Sequence, residues 1–316
     1  MTTCFITQPI DPAAEECLAA HGIRTRLASR PTMAAAIAEV GDAQAVITRD
    51  LGFSAEAMAS APGLRIIASH GSGTNNVAIR EAAARQIVVT RVPNANSRSV
   101  AEMTIALMLA AARRIPEADQ SVRAENWSFR YSAQGMELHG LTLGLIGFGK
   151  IARIVAEIAG RGLGMHVVAW SPRVPPEIFS AHGVEQAPDA ETLLSLSDVV
   201  SLHRPGDAPD AFLLDEAAFA HCRRGSILIN TSRGSAVCQN ALIRALEMGT
   251  LRVAALDVLP QEPPESTDQL ITMKNVILSP HIGAATGASL HRMAMRCARQ
   301  VIDCLQGRVP DDIVSV

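Results

Sequence analysis

The stretch Leu143-Gly144-Leu145-Ile146-Gly147-Phe148-Gly149-Lys150-Ile151-Ala152 decides the fold of this 316-residue chain. A short apolar run ends in a glycine-rich turn, and a helical pattern follows from Ile151 to Ala159. This is G-x-G-x-x-A between a strand and a helix, the context in which a dinucleotide is bound. Gly147 permits the tight turn, Gly149 lets the backbone approach a pyrophosphate, and Ala152 allows close helix packing. Phe148, Lys150 and Ile151 complete the expected cradle, because a helix N-terminus offers free N–H groups to phosphates.

The next apolar run, Met165 to Trp170, ends in Ser171-Pro172-Arg173. A site for NAD places an acidic residue about here, to accept hydrogen bonds from the ribose hydroxyls. Ser171 carries no charge that would repel a 2′-phosphate, and the Arg173 guanidinium attracts one. NADP is therefore the expected cofactor, with NAD as the second choice.

Further Val- and Ile-rich runs alternate with Ala-rich helical stretches: Phe5–Thr7, Ala45–Thr48, Leu64–Ser69, Ile87–Thr90, Val199–Leu202, Ser226–Ile229, Val253–Leu256 and Val276–Leu278. Runs apolar on both faces and separated by helices are parallel strands buried between helix layers, so the fold class is α/β. There are too many for one comfortable open sheet, and the length suits two domains. Ser99-Val100-Ala101-Glu102 has the form of a capping box, and the helix behind it, reaching Arg113-Arg114, is apolar on nearly every face. That pattern predicts burial between domains or subunits. A last helix is expected from Thr286, with Leu290, Met293, Ala294, Cys297, Val301, Cys304 and Leu305 as its apolar stripe and Gly307 as its stop.

A hydrophobic fraction of 48% with 19% charged residues excludes wholesale disorder. A net charge of −3 gives no electrostatic reason to expect nucleic acid. The longest apolar stretch, Met103 to Ala112, is too short to cross a bilayer, and the N-terminus lacks a signal-peptide pattern. The 6 cysteines show neither CxxC nor metal-ligand spacing, so no metal site is expected and they read as reduced thiols in a cytoplasmic protein.

With these motifs the chain resembles the D-isomer-specific 2-hydroxyacid dehydrogenases, which include phosphoglycerate dehydrogenases and hydroxypyruvate/glyoxylate reductases. Matching segments are the glycine fingerprint, Val100-Ala101-Glu102, Ile229-Asn230-Thr231-Ser232-Arg233-Gly234, Ala255-Leu256-Asp257-Val258, Gln261-Glu262-Pro263 and Ser279-Pro280-His281-Ile282-Gly283. The resemblance implies two doubly wound parallel-sheet domains: a Rossmann cofactor domain, 98–284, inserted in a discontinuous flavodoxin-like substrate domain, 1–97 with 285–316. It implies a homodimer made through the helix after Ser99. It also implies a catalytic set of Arg233, Glu262 and His281, with Thr231, Asp257, Gly283, His203 and Pro205 lining the cofactor. The chemistry suits these residue types. An imidazole gives and takes a proton near neutrality, a carboxylate on its other nitrogen favours the charged ring, and a guanidinium matches a carboxylate.

By the same resemblance, the loop His70-Gly71-Ser72-Gly73-Thr74-Asn75-Asn76 holds a substrate carboxylate, with N–H groups of Gly71, Ser72 and Gly73 converging on the anion. Asn75 replaces the family's usual Asp. Arg49 is placed to reach a distal substrate group or to make a surface ion pair. Arg204, between His203 and Pro205, is larger than the family's usual residue and stands either at the cofactor phosphates or in solvent. The leading expectation is reduction of glyoxylate or hydroxypyruvate. The alternatives are D-3-phosphoglycerate, which the short stretch after His281 disfavours, and a dinucleotide-sensing corepressor without enzymatic activity.

Overall fold

The computed structural model describes residues 2–204 and 214–315. The chain divides into two compact units, Met1–Asn96 with Ala285–Val316 and Ser97–Ala284. The division falls before residue 97 rather than after it, because Ser97 opens a helix whose packing lies in the second unit.

In the first unit, strands β1 (Thr2–Ile6), β2 (Ile23–Leu27), β3 (Ala45–Thr48), β4 (Ile66–Ser69) and β5 (Val88–Thr90) form a parallel sheet in the order β2-β1-β3-β4-β5. Every residue of β3 and β4 is buried, as expected for strands covered on both faces. β2 was not anticipated. It lies at the sheet edge, where Arg24 and Arg26 interrupt the apolar pattern.

The chain returns to this sheet through the helix Gly287–Leu305, which packs on β3, β4 and β5. Thr286 caps it by accepting from Ser289 N, and Met293, Ala294, Cys297 and Val301 form its buried stripe. Gly307, at φ 79°, follows the C-cap residue Gln306 and ends the helix where an L side chain would be strained. Arg65 donates to the carbonyls of Cys304 and Leu305, placing a cation at the negative end of the helix. Gln300 is buried and fastens the returning helix to the sheet. Its Oε1 accepts from Thr90 Oγ1 at 2.9 Å, and its Nε2 donates to the carbonyls of Arg91 and Asp311 at 2.9 and 3.1 Å.

In the second unit, β6 (Thr142–Ile146), β7 (His166–Trp170), β8 (Glu185–Gln186), β9 (Val199–Leu202), β10 (Ser226–Asn230), β11 (Leu251–Leu256) and β12 (Val276–Leu278) are parallel, in the order β12-β11-β10-β9-β6-β7-β8. The order reverses at β6. A doubly wound sheet opens its ligand crevice there, beyond the carboxyl ends of the strands. The two-residue edge strand β8 is too short to leave a pattern in the sequence.

The helix Ser97–Arg113 packs on β10, β11 and the helix Lys150–Glu157 of the same unit. Two expectations about it need correction. It starts at Ser97, so Ser99 is not its cap, and Glu102 accepts from Arg98 Nε instead of closing a capping box. Ser97, Val100, Ala101, Thr104 and Met108 share the buried face, so packing extends the helix upstream of the local cap signal. Nor is it apolar all round: Arg98, Glu102, Ala106, Leu109 and Arg113 form an exposed edge.

Gln300→Leu leaves the Thr90 hydroxyl and two carbonyls without their buried partner. The expected loss is about 2–4 kcal/mol, read as a lower denaturant midpoint at unchanged slope.

Candidate active site

The glycine turn sits at the switch point. Gly147 has φ 96°, and its N–H donates to Trp170 O at 2.8 Å. A Cβ there would lie 2.6 Å from Arg204 Cγ and 2.8 Å from the His203 carbonyl oxygen. Gly149 is the N-cap of the helix Lys150–Glu157 and has no side-chain cap, and a Cβ on it would meet nothing within 4 Å. Bare helix N–H groups therefore face open space over a turn that only glycine fits, and a pyrophosphate suits this cradle. Ala152 is fully buried, as close helix packing requires. Phe148 contributes only backbone to the turn: its ring is buried and stacked on Phe179 at 4.7 Å. Its carbonyl accepts from Arg153 Nε. Ile151 packs partly buried against the core, and Lys150 is exposed.

Beyond β7, Ser171 is half-buried and Arg173 is exposed, on a turn closed by Val174 N donating to Ser171 O. Arg204 is only 8% exposed and lies over the Trp170 indole, its guanidinium carbon 5.1 Å from the ring centroid. Neither solvent nor a purely peripheral position describes it. His203 donates its N–H to Ile146 O, and its Nε2 pairs with Ser201 Oγ at 2.9 Å. Burial pushes its imidazole down to about 4, so it is neutral at pH 7. Pro205 lies outside the described residues.

Arg233, Glu262 and His281 follow β10, β11 and β12 in turn. His281 Nδ1 is 2.7 Å from Glu262 Oε2, and the other carboxylate oxygen accepts from Leu259 N at 3.0 Å. The ring orientation is thereby fixed and Nε2 is left outward. The His281 backbone is in the left-handed region, φ 54°, and is secured by its N–H donating to Asp257 O at 2.9 Å. Asp257, nearly fully buried, holds the rest of that loop: Oδ1 accepts from Ser279 Oγ and Ile282 N, and Oδ2 from Gly283 N at 2.8 Å. The structure thus gives both Asp257 and Gly283 a bracing role beneath His281.

Arg233 follows β10 and is half-buried; its Nη1 donates to Ser232 O at 2.7 Å. Asn230, a buried residue not singled out in the sequence, braces this turn by donating to Arg233 O and accepting from Ser232 N and Oγ. A polar residue closing the apolar run Ser226–Ile229 was the available signal. A Cβ on Gly234 would lie 2.0 Å from the Leu259 carbonyl carbon, so glycine allows the Arg233 turn to abut the segment leading to Glu262. Thr231 shares a hydroxyl hydrogen bond with Thr104 at 2.9 Å, which ties it to the Ser97 helix.

In the first unit, the loop after β4 is held by its own hydrogen bonds. The Gly71 N–H is already used, donating to Ser69 O at 2.8 Å, but no described residue accepts from the N–H of Ser72 or Gly73. Ser69 Oγ donates to Gly73 O, and Asn76 rather than Asn75 braces the loop, its Nδ2 donating to Asp50 O at 2.6 Å. Arg49 donates to Pro9 O at 2.9 Å. His70 is buried, and desolvation first, with the Arg49 charge second, pushes it down to about 4.

Among the described residues no His, Cys, Asp and Glu cluster has the makings of a metal site, and no helix is long and apolar enough to cross a membrane. Their cysteines are unpaired, and burial pushes the Cys4 and Cys222 thiols up to about 12.

Residues 105–283 match the D-isomer specific 2-hydroxyacid dehydrogenase family, NAD binding domain. The chain is 34% identical over 312 residues to the D-3-phosphoglycerate dehydrogenase of Pongo abelii, an alignment covering 98% of this chain and 58% of that protein. It therefore spans less than two thirds of that relative's length. A protein of Thermus thermophilus superposes with a TM-score of 0.89 at 32% identity, over 99% of this chain and 100% of the other. An NADPH-dependent glyoxylate/hydroxypyruvate reductase from Sinorhizobium meliloti, solved with NADP and malonate, gives 0.84 at 27% identity, over 99% and 97%. The chain belongs to the D-isomer specific 2-hydroxyacid dehydrogenase family.

His70, which is buried, and His203, which is half-buried, set a pH response. Desolvation pushes both imidazoles down to about 4 in the folded protein, against about 6.5 when unfolded. Between those values the unfolded chain binds more protons, so stability is lost as pH falls from about 6.5 to about 4. In a series of melting temperatures, His70→Asn/His203→Asn should lose less over that interval than the parent.

Proposed function

We propose that this protein interconverts a small 2-keto acid and its D-2-hydroxy acid, with glyoxylate or hydroxypyruvate as the keto acid and NADP(H) preferred over NAD(H). The observation that carries the reading is the Glu262–His281 pair, with Nδ1 held by the carboxylate at 2.7 Å and Nε2 left outward. A bound nicotinamide supplies or accepts the hydride. His281 Nε2 then gives the proton to the keto oxygen, or takes it from the hydroxyl, while Glu262 stabilises the charged ring. Arg233 offers its donor fork to the substrate carboxylate and polarises the carbonyl. In the first unit, taken by itself, the N–H groups of Ser72 and Gly73 suit an anion and Arg49 a polar group.

An intact acid–base pair favours an enzyme over a non-catalytic sensor. A second reading, D-3-phosphoglycerate as substrate, is favoured by the 34% identity to a D-3-phosphoglycerate dehydrogenase across 98% of this chain. We also place a homodimer contact just after the Ser97 helix, since that helix finds most of its cover in its own unit. Ile115, Val122, Trp127 and Tyr131 are 55%, 55%, 65% and 82% exposed, and a second copy would cover them. The free thiols suit a cytoplasmic setting.

Reduced-nicotinamide absorbance, followed with glyoxylate, hydroxypyruvate and 3-phosphoglycerate, separates the two substrate readings. His281→Ala and Arg233→Ala should each lower kcat/KM at least ~100-fold. Glu262→Gln should also lower kcat/KM, because the imidazolium loses its partner charge. Near-parental rates in His281→Ala would remove the mechanism.

The cofactor preference rests on Ser171 standing where a carboxylate would repel a 2′-phosphate, with Arg173 and Arg204 close in the fold. The parent should show higher kcat/KM with NADPH than with NADH, and Ser171→Asp should reverse the order. Equal use of the two by the parent refutes the preference.

A further inference from the structure

β6 lies between β7 and β9, with Ile146 paired to Trp170 on one side and Leu202 on the other. Arg204 stands two residues past the end of β9, yet its guanidinium rests on the Trp170 ring at the end of β7. The side chain therefore runs across the tip of β6. Its Cγ is the atom that a Cβ on Gly147 would strike, at 2.6 Å. A cation that is 8% exposed thus lies over the fingerprint turn, against the residue that immediately precedes Ser171. Arg173, by contrast, is exposed on the outer turn.

We propose that Arg204, laid over the Gly147 turn onto Trp170, is the main reader of the adenosine 2′-phosphate. The inference rests on the NADP(H) reading above and names the residue responsible for it. A guanidinium stacks through its face and donates through its edge, so Arg204 holds the indole and meets phosphate oxygens at once. Its charge acts in a largely desolvated place, where attraction to a dianion exceeds that of the exposed Arg173. The stack also pre-orders a long side chain, so binding loses less rotamer freedom. The requirement for glycine at residue 147 then has a second cause besides its positive φ: it leaves the channel through which the Arg204 stem passes.

The test is calorimetric binding of adenosine 5′-monophosphate and adenosine 2′,5′-bisphosphate, which differ only by the 2′-phosphate. Trp127→Phe serves as background, because the chain has 2 tryptophans and Trp170 emission then reports alone. The background protein should bind the bisphosphate at least ~10-fold more tightly, equivalent to about 1.4 kcal/mol, with a change in Trp170 emission. Arg204→Met should remove most of that ratio while affinity for the monophosphate stays within ~3-fold, and Arg173→Ala should keep the ratio. Arg204→Lys retains the charge without the planar fork and should lower the ratio at least ~3-fold; it carries the test if the Met variant does not fold. An unchanged ratio in either Arg204 variant that folds, or its loss in Arg173→Ala alone, overturns the proposal and leaves the NADP(H) reading standing. Equal affinity of the background protein for the two nucleotides overturns both.

Discussion

The Asp257 carboxylate, buried at the end of β11, accepts from Ser279 Oγ, Ile282 N and Gly283 N, and its own carbonyl accepts from His281 N. Those bonds close the loop after β12 over the end of β11, and they hold His281 at a φ of 54° that an isolated chain would rarely adopt. A buried carboxylate is costly unless it is hydrogen-bonded, and here three donors from one loop meet that need. The arrangement also runs in reverse: without Asp257 the loop would have no reason to keep His281 over Glu262. The exposed Glu262–His281 pair thus owes its geometry to a group beneath it.

That dependence continues into the neighbouring strand. Asp257 N donates to Asn230 O, and Asn230 shapes the turn that presents Arg233. Gly234 then lets this turn touch Leu259, whose N–H binds Glu262. The carboxyl ends of adjacent parallel strands are only about 4.8 Å apart. Short polar side chains can therefore link them into one network, and three separate sequence segments become one rigid site.

Much of this was legible before any coordinates. The central strands are buried on both faces, so their composition alone marked them. β2 and β8 were missed because edge strands need not be apolar, and β8 has only two residues. The start of the Ser97 helix was misplaced because Ser99 and Glu102 imitate a cap, whereas packing of Ser97 and Val100 decided the boundary. In the site, Arg233, Glu262 and His281 stand in the same recognisable segments as the residues that brace them, but the pairing between those residues does not show in the sequence. Asn76 and Ser279 are short polar groups in loops and Asn230 ends β10, and their partners lie 26, 22 and 3 residues away in sequence. Only the fold reveals which of them converge.

Arg204 shows the same limit from the other side. In sequence it is a charged residue in a loop, for which solvent is the ordinary destination. Two constraints redirect it. The parallel register sets Trp170 across β6 from the end of β9, which is within reach of a four-atom stem. Gly147 leaves out a Cβ that would lie 2.6 Å from the Arg204 Cγ. An aromatic face then compensates part of the desolvation of the guanidinium. The glycine fingerprint and the departure at residue 204 are therefore two halves of one packing solution: a side chain at 147 would displace the arginine, and without the arginine the turn would be open above Trp170.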